Sequence, residues 1–433
     1  MQITKGMLFV CASAILAFAT TGANAQSQTP IKIAVPVFLS GPAVGAFGEP
    51  SRNAAQIVIK AMNAGQLPAP YNQKGLAGVP IDMKIIDEAG STATAVTEFK
   101  NLVQRDKVDV VVGYVSSASC TAIAPVADEL EVLTVFYACG ASRLFDERDY
   151  KYVFRSSSSQ TSDAVATARY ITAKFPETKS FSGINQNYSW GQDNWRDFQL
   201  AMKVLAPSVT VDKELMPKLF AGEYGAEISV LLAANSPIIH SSFFGGDLET
   251  FILQSTTRGL TKNSRLLLTV GEQILARQGK NVPEGTIIGG RGRHGMLASD
   301  NALNNWFLAA YAKEFNGAVP NFPAYHMYST LLGLKAAWEK AAAAKGGVRP
   351  STDEVIKAYT GLTFDTASGP VKMALGKGHQ GIEEVAVGTY RYNKATDKPE
   401  LYNLLTYPAE CVNPPANMTS EEWLKKGMPG AKC

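Results

Sequence analysis

Residues 108–130 read VDVVVGYVSSASCTAIAPVADEL. The run Val108–Gly113 is apolar without alternating polar residues, which is typical of a strand buried on both faces of a parallel sheet. Small hydroxylated residues follow it, and the apolar residues of Ser119–Glu131 then recur at helical spacing. This succession of strand, polar loop and helix is the repeating unit of an α/β sheet.

The same unit recurs along the chain. Apolar runs separated by helical stretches predict two groups of strands: Ile31–Phe38, Ile81–Asp87, Val108–Gly113 and Val132–Tyr137, then Ser180–Asn185, Val209–Met216, Pro237–Phe243 and Arg265–Val270. A chain of 433 residues also exceeds what one hydrophobic core usually supports. We therefore predict two α/β lobes, each a doubly wound parallel sheet.

After the second group of strands the pattern changes. Helical spacing predicts a pair of helices, Asn301–Phe315 and Ala324–Ala344. A glycine-rich β section follows over Phe364–Tyr392, with Gly369-Pro370 as a turn. The proline-rich tail from Pro408 is predicted to pack as an irregular strap.

The first 25 residues have the three parts of a secretory signal peptide. Lys5 gives a positive start, Met7–Ala19 is apolar, and Ala23-Asn24-Ala25 is a small-residue cleavage site. The alternative is a membrane anchor, which needs roughly 18 or more apolar residues, and this run is shorter. We expect cleavage after Ala25 and an exported mature chain without a further membrane span.

The charge of the chain is nearly balanced. The formal net charge is +3 at pH 7, and the sequence contains no run of Lys or Arg. A nucleic acid or an anionic membrane surface usually selects for clustered positive charge. We therefore expect neither as a partner.

Four cysteines remain after the expected cleavage: Cys120, Cys139, Cys411 and Cys433. An even number in an oxidising compartment predicts two disulfides, with three alternative pairings. Proximity along the chain favours Cys120–Cys139 and Cys411–Cys433. A zinc site is the competing interpretation, but the sequence has no Cys-x-x-Cys and its four histidines are scattered, so we expect no metal.

In open parallel sheets, ligands bind beyond the carboxyl ends of the strands. Ser116 and Ser117 follow the third predicted strand, and Gly140 and Ser142 follow the fourth. Small residues at a helix start direct backbone N–H groups and Oγ atoms toward an anion, which the helix dipole favours by about 0.3–1 kcal/mol. The alternative is that each serine only caps its helix. Together these loops predict an anion site on the first lobe.

The second lobe has its own strand-end residues. Tyr188 and Trp190 follow its first strand, Asp247 follows a Gly-Gly pair, and Glu272 follows a later strand. Structural alternatives exist, because aromatics also fill cores, Asp247 would cap a helix, and Glu272 would pair with a surface arginine. Their shared position at strand ends predicts that they face a cleft between the lobes.

Two further patterns suggest chemistry but do not fit it. Gly290–Gly295 matches Gly-x-Gly-x-x-Gly and follows the predicted strand Thr286–Gly289, but the next helix begins only near Asn301. A dinucleotide site needs a glycine turn that opens directly into the helix, so a crossover between lobes is the better interpretation and no cofactor is expected. No Gly-x-Ser-x-Gly elbow presents a nucleophile, so we do not expect an enzyme.

The order of these motifs resembles one family. The matching residues are Ile33, Val35, Ser40-Gly41-Pro42 and Gly48-Glu49, then Val110, Val112-Gly113, Ser116-Ser117 and Ala124–Ala127, then Asn187-Tyr188, Trp190-Gly191 and Gly333 with Lys335-Ala336-Ala337. Over essentially the whole mature chain they are similar to the type I periplasmic binding proteins of branched-chain amino acid and amide uptake systems. The resemblance implies a monomeric, two-lobed periplasmic clamp that closes on a solute for the permease of an ABC importer.

The resemblance also assigns roles on the first lobe. It implies that Ser117, Gly140 and Ser142, with Ser116 beside them, hold a ligand carboxylate. The aromatic before the glycine of the first loop packs on the ligand in this family, and here that residue is Phe47.

On the second lobe, the resemblance implies that Trp190 and the nearby Tyr188 cover the ligand. Glu272 would meet an ammonium group, and Asp247 stands where amino-acid binders often have an aromatic residue. Two acids favour a polar or basic amino acid, an amide or a urea-like compound as the solute. An aromatic carboxylate remains an alternative solute, because it could stack on Phe47, Tyr188, Trp190 and the Phe243-Phe244 pair. A ligand-sensing protein of the same fold is a further alternative.

Finally, the resemblance implies lobes that are discontinuous in sequence. The first would contain residues 26–155 and 290–386, and the second residues 156–289 and 387–433. Hinge crossings would lie near Arg155-Ser156, Gly289-Gly290 and Ala386-Val387. In such a sheet the third and fourth strands are neighbours about 5 Å apart, so a Cys120–Cys139 disulfide is feasible.

Overall fold

The computed structural model describes residues 1–2, 29–88 and 91–433. The predicted signal peptide, residues 1–25, lies outside this part of the chain apart from its first two residues, as does its cleavage site after Ala25. Within the described ranges, no helix combines the length and the apolar character that crossing a bilayer would require.

The strands follow the predicted order, most of them a residue or two shorter at an end than predicted. They are β1 (Ile31–Val37), β2 (Ile81–Asp87), β3 (Val110–Gly113), β4 (Leu133–Phe136), β5 (Val153–Arg155), β6 (Ser180–Ile184), β7 (Thr210–Leu215), β8 (Ile238–Ser241), β9 (Arg265–Leu268), β10 (Ile287–Gly289), β11 (Thr363–Thr366), β12 (Gly369–Leu375), β13 (Gln380–Ile382), β14 (Val385–Asn393) and β15 (Lys398–Tyr407).

The helices lie between these strands and after them. They are α1 (Glu49–Ala64), α2 (Thr92–Gln104), α3 (Ser117–Glu129), α4 (Arg143–Asp146), α5 (Gln160–Lys174), α6 (Ser189–Leu205), α7 (Gly225–Ala234), α8 (Gly245–Thr257), α9 (Glu272–Gln278), α10 (Ala302–Glu314), α11 (Phe322–Ala344), α12 (Thr352–Tyr359), α13 (Ala409–Val412) and α14 (Ser420–Lys425). The sequence predicts neither α5 nor α9. Helix α5 is buried on nearly all sides, so it lacks the amphipathic stripe that makes a helix recognisable.

The strands form two sheets, which confirms the predicted pair of α/β lobes. The first has the order β11-β12-β13-β5-β4-β3-β1-β2, and the second has the order β15-β14-β10-β9-β8-β6-β7. Strands β1 to β5 pair in parallel, as do β6 to β10. The later strands β11, β12, β14 and β15 extend one edge of each sheet with antiparallel pairs.

Each sheet is covered on both faces, which explains the strands without polar alternation. In β1, Ile33 and Val35 pack in one core cluster and Ala34 packs in another on the opposite face. In β9, Leu267 belongs to one cluster and Leu266 to the other. Apolar residues are therefore favoured at consecutive positions, because neither face meets water.

The predicted turn at Gly369-Pro370 is wrong. Strands β11 and β12 form a hairpin in which Thr366 pairs with Gly369, so the turn lies at Ala367-Ser368. Gly369 instead opens β12 with a φ of +105°, which a residue with a side chain rarely adopts. Pro370 is tolerated because it sits at the start of the strand beside the turn.

The chain passes three times between the two sheets, after β5, after β10 and after β13. The last passage is short: β13 ends at Ile382 and β14 begins at Val385, just before the crossing near Ala386-Val387 that the resemblance implies. Both favoured disulfides form, Cys120–Cys139 on the first lobe and Cys411–Cys433 in the C-terminal tail. The tail is more regular than predicted, because it contains α13 and α14.

Candidate functional site

A small pocket lies between the lobes at the carboxyl ends of the parallel strands. In this form it encloses only about 20 Å³, far less than the roughly 300–1,000 Å³ that ligand pockets usually offer, so a solute would have to widen it. The residues that line it are Phe47, Val115, Ser117, Ala138, Gly140, Tyr188, Trp190, Phe244, Val270 and Arg291. Five predicted residues, Phe47, Ser117, Gly140, Tyr188 and Trp190, are thus brought together.

On the first-lobe face of the pocket, the main polar group is the hydroxyl of Ser117. Ser117 is the first residue of α3, and its Oγ accepts hydrogen bonds from the backbone N–H groups of Gly140 at 3.2 Å and Ala141 at 3.3 Å. A hydroxyl has two acceptor positions and one proton. With both acceptor positions filled, the proton of Ser117 remains to be donated to an acceptor in the pocket.

The loop that carries Val115 and Ser117 is held from below by a buried acid, Glu88. Its carboxylate accepts from the backbone N–H groups of Val115 and Ser116, both at 2.7 Å. Burial raises the pKa of Glu88 to about 8. The sequence interpretation missed Glu88, although its position directly after β2, at the same sheet edge, was a usable signal.

The second-lobe face is aromatic. The ring of Phe244 meets Phe47 of the first lobe edge to face at 5.3 Å between centroids, and it also lies 6.5 Å from Tyr188. Trp190 is oriented by a 2.8 Å hydrogen bond from its Nε1 to the carbonyl of Ser242. These rings, tilted to one another, form a mainly apolar aromatic wall on the second lobe.

One charged side chain reaches the pocket from the crossing after β10. The guanidinium of Arg291 lies 5.1 Å from the ring of Trp190 and donates to the carbonyls of Ala138 and Ser158. Its Nε is 3.4 Å from Asp163 Oδ2, so the pair balances charge in a buried place. The sequence interpretation treated the surrounding Gly290–Gly295 only as a crossover.

The structure represents the closed form of the cleft. The backbone N–H of Gly246 in the second lobe donates to the carbonyl of Pro42 in the first at 2.9 Å. Gly140 packs so tightly on Trp190 that a Cβ at this glycine would lie 2.3 Å from the indole ring. Asn321 of the first lobe also donates to the carbonyl of Gln273 across the cleft at 3.0 Å. Direct bonds between the lobes therefore exist in this form.

Two predicted serines lie outside the pocket lining. Ser116 caps α3, because its side chain accepts from the backbone N–H of Ser119. The Oγ of Ser142 accepts from Arg196 at 3.1 Å and borders a separate polar cavity behind the hinge. For Ser116, the capping alternative describes the contacts that the structure shows.

The two predicted acids also point elsewhere. Asp247 accepts from Gln186 at 2.7 Å, from the backbone N–H of Phe220 at 2.8 Å and from the hydroxyl of Tyr224. Glu272 accepts from the backbone N–H groups of Met296 at 3.0 Å and Phe322 at 2.7 Å.

Burial raises the pKa of Glu272 to about 7. Both carboxylates are already satisfied by protein donors, and neither lines the pocket. In this form, Glu272 is therefore not placed to make the ammonium contact that the resemblance implies.

Besides Arg291, four lining residues were not assigned as site residues, namely Val115, Ala138, Phe244 and Val270, although Phe244 is one of the aromatic residues expected to stack on an aromatic carboxylate under the alternative interpretation. Each lies in the loop just after the end of a parallel strand, at the same sheet edge as the predicted site residues. Their apolar character hid them, because apolar residues at strand ends are equally typical of the core.

Comparison with known proteins agrees with this geometry. Residues 30–396 match the family described as periplasmic binding protein. No curated protein sequence matches the chain.

Solved structures share the fold at low identity. A solute-binding protein of an ABC transporter from R. palustris, in complex with benzoate, is 19% identical with a TM-score of 0.72, over 87% of this chain and 96% of that one. A leucine-binding protein from Thermotoga maritima is 20% identical with a TM-score of 0.71, over 87% and 98%.

An amino acid ABC transporter substrate-binding protein from Pseudomonas fluorescens is 20% identical with a TM-score of 0.74, over 91% of this chain and 99% of that one. Likeness at this identity establishes the fold, and the family match extends over most of the sequence. The chain therefore belongs to the periplasmic binding protein family, whose members bind small solutes for ABC transporters.

Proposed function

We propose that this protein captures a small organic carboxylate with an aromatic or similarly flat apolar body, and delivers it to the permease of an ABC importer without altering it. One observation carries the proposal: aromatic and aliphatic walls enclose a pocket whose polar groups are the hydroxyls of Ser117 and Tyr188 and the guanidinium of Arg291. Within the described residues, no carboxylate lines this pocket.

The polar groups suit an anion. The Ser117 hydroxyl retains its proton for a ligand oxygen, and Nη1 and Nη2 of Arg291 each carry a second N–H beyond the ones given to Ala138 and Ser158. Hydrogen bonds to a charged partner contribute about 1.5–3 kcal/mol each, more than neutral ones. A carboxylate would be stabilised here, while a neutral amide would lack the attraction between its charge and the guanidinium.

An α-amino acid has the additional need of an acceptor for its ammonium group. Burying an ammonium without such a partner is costly. The two acids assigned to that role, Asp247 and Glu272, are engaged by protein donors outside the pocket lining. This argument favours the aromatic carboxylate over the amino acid, the amide and the urea-like compound.

Proteins of similar fold support both classes of solute. The R. palustris protein was crystallised with benzoate, and a solute-binding protein from Rhodopseudomonas palustris BisB5 with 3,4-dihydroxybenzoic acid. The Thermotoga maritima protein is named for leucine. The pocket of this chain, with its single cation and aromatic walls, is chemically closer to what a benzoate requires.

Absence of catalysis is part of the proposal. The one small hydroxyl that lines the pocket, that of Ser117, accepts two backbone N–H groups and has no histidine or carboxylate beside it among the lining residues. A nucleophile needs an adjacent base to be activated. We therefore expect purified protein to return its ligand unchanged.

Export and a monomeric state complete the proposal. The signal-peptide pattern supports cleavage after Ala25, and the family is periplasmic. Intact mass of protein from the periplasm should correspond to a chain that begins at Gln26, and light scattering should give the mass of one chain. An uncleaved mass or a stable dimer would contradict this part.

Ligand identity is tested by calorimetry with benzoate, benzamide, leucine and urea. We expect benzoate to bind about 10- to 100-fold more tightly than benzamide, because only the carboxylate pairs a negative charge with the guanidinium of Arg291. Ser117→Ala should reduce this ratio, while Ser116→Ala, the same substitution one residue away and outside the pocket, should leave it unchanged. Binding of leucine or urea with no binding of benzoate would overturn the proposed ligand class.

A further inference from the structure

A second cluster of polar side chains lies behind Arg291, where the crossings of the chain meet. It contains His294 from the segment after β10, His326 from α11 and Glu383 from the short link between β13 and β14. One potential ligand atom of each side chain lies within 4.8 Å of the other two. None of the three residues is more than 3% exposed, so their polar atoms must be satisfied from within.

His294 is held on one side and open on the other. Its Nδ1 is 2.6 Å from the hydroxyl of Ser368. Its Nε2 is 3.0 Å from Glu383 Oε2, but it has no hydrogen-bond partner among the described residues. The two atoms are therefore close without a hydrogen bond that joins them.

His326 is held through one of its two ring nitrogens. Its Nε2 is 2.8 Å from the carbonyl of Arg291, which can only accept, so this nitrogen carries the proton. A neutral imidazole carries a single proton. Its Nδ1 therefore bears a lone pair, and this atom has no hydrogen-bond partner within the described part of the chain.

The third member, Glu383, is positioned by Ser158. The backbone N–H of Ser158 donates to Oε1 of Glu383 at 3.2 Å, and the Ser158 hydroxyl accepts from the backbone N–H of Glu383. One carboxylate oxygen is thus used for orientation, and Oε2 is turned toward His294. The nearby cation, Arg291, has its own counter-charge in Asp163.

A glycine, Gly292, leaves space next to His294 and Glu383. Gly292 has a φ of +113°, and a Cβ built on it would lie 2.5 Å from His294 Nε2 and 3.0 Å from Glu383 Cδ. A side chain at this position would occupy the space beside the imidazole and the carboxylate. The Gly-x-Gly-x-x-Gly match, which does not fit a dinucleotide, thus contributes the residue that keeps the cluster open.

We propose that His294, His326 and Glu383 bind a divalent transition-metal ion of the zinc class through Nε2, Nδ1 and Oε2. Two imidazoles and one carboxylate are a ligand set that Zn²⁺ accepts, and bonds of about 2.0–2.1 Å in tetrahedral geometry place neighbouring ligand atoms roughly 3.3 Å apart. The observed 3.0 Å between His294 Nε2 and Glu383 Oε2 is near that spacing. Ser368, the Arg291 carbonyl and Ser158 orient the ligands from outside, as the partners of metal ligands do.

The ion would tie the second and third crossings to α11, next to the residue that reaches the pocket. This role is structural, and it does not depend on which solute the pocket binds. The sequence expectation of no metal fails to apply here because it rests on ligand spacing along the chain. These ligands are far apart in sequence and meet only through the topology.

The test uses untagged mature protein, because a histidine tag binds zinc itself. Metal analysis of protein purified without chelator should give one Zn²⁺ per chain. Protein refolded from denaturant with a chelator should take up one equivalent of added Zn²⁺ in a competition titration. Less than a tenth of an equivalent in both measurements would overturn the proposal and leave a hydrogen-bonded His–Glu cluster.

Two variants and a control locate the ion. Glu383→Gln should lower zinc affinity more than 100-fold, and Ser368→Ala, which only orients His294, should lower it about 10- to 100-fold. His379→Asn, a buried histidine of the same lobe outside the cluster, should keep full affinity. Equal losses in His379→Asn and Glu383→Gln would contradict the site; if Glu383→Gln does not fold, Ser368→Ala and X-ray absorption of the wild-type zinc protein decide.

Discussion

The two faces of the pocket differ in kind. The first lobe presents the hydroxyl of Ser117 on a loop that a buried acid, Glu88, holds in place. The second lobe presents the rings of Tyr188, Trp190 and Phe244, which are held by packing and by one hydrogen bond to a carbonyl. One face is suited to fix the charged end of a ligand, and the other is suited to cover its body.

This difference indicates an order of events. A polar loop that is positioned from within its own lobe is complete before the cleft closes. The aromatic face gains its contacts with Phe47 and Gly140 only when the lobes meet. A ligand would thus bind first to the first lobe and shift the population toward the closed form by its added contacts with the second.

The largest expected effect is on the aromatic face. Trp190→Ala removes the ring that packs on Gly140 and lies over Arg291, so we expect the affinity for benzoate to fall by about 2–4 kcal/mol, as for a central aromatic residue of an interface. Trp190→Phe keeps a ring and should lose less than half of this. Calorimetry measures the benzoate affinity of both variants, and circular dichroism checks that both are folded like the wild type.

If Trp190→Ala kept an affinity within threefold of wild type, the proposed role of the aromatic face would be contradicted. It would mean that the first lobe alone holds the ligand. Loss of affinity in Trp190→Phe as large as in Trp190→Ala would instead show that the hydrogen bond to Ser242 matters more than the ring.

Site residues in loops directly after strands could be predicted from the sequence. Ser117, Gly140 and Trp190 lie at carboxyl ends of parallel strands, and this position alone places them at one edge of a sheet. The alternation of strands and helices likewise predicts both lobes, because consecutive elements of an α/β unit are neighbours in space.

What the sequence does not contain is the set of donors around each acid. Asp247 and Glu272 occupy the expected strand ends, but buried carboxylates take whatever N–H groups the folded chain offers, and these come from Phe220 and Phe322. Arg291 reaches the pocket from a crossing, where neither periodicity nor strand position gives a signal. Long-range contacts of this kind exist only in the folded chain.

The two disulfides offer a matched comparison, because they close loops of similar length, 19 and 22 residues apart. In the chain-entropy model each contributes about 3 kcal/mol to the free energy of unfolding. Replacing either pair by alanines should therefore lower stability to urea by a similar amount. Only Cys120→Ala/Cys139→Ala should also weaken ligand binding, because Cys139 precedes Gly140 and Cys120 lies in the first turn of α3, after Ser117.

Equal ligand affinity in both double variants would indicate that the first-lobe loops keep their geometry without the covalent link. Weaker binding in the variant that lacks Cys411 and Cys433 would mean that the C-terminal tail influences the cleft. The measurement is calorimetry with benzoate, at a temperature where both variants are folded.

The smallest expected effect is a pH dependence of the free energy of unfolding between pH 7 and pH 8, which arises from Glu88. Burial raises the pKa of Glu88 to about 8 from its ordinary value of 4.5, so between these values the native protein holds a proton that the unfolded chain has lost. The free energy of unfolding must then fall as pH rises, by about 1 kcal/mol between pH 7 and pH 8. Glu88→Gln, which cannot ionise, should flatten this part of the profile in urea denaturation.

Glu272 and Asp163 act in the same direction, because burial raises the pKa of each to about 7, whereas His240, whose pKa burial lowers to about 3, acts in the opposite direction below about pH 6.5. The Glu88→Gln profile should therefore differ from wild type most clearly between pH 7 and pH 8. Glu314→Gln on the surface, where the carboxylate meets Lys60 in solvent, serves as the matched control and should leave the profile unchanged. A Glu88→Gln profile identical to wild type would mean that the acid ionises without cost in the fold. The first-lobe loop would then rest on a full charge, and its two backbone donors would be the reason that charge is tolerated.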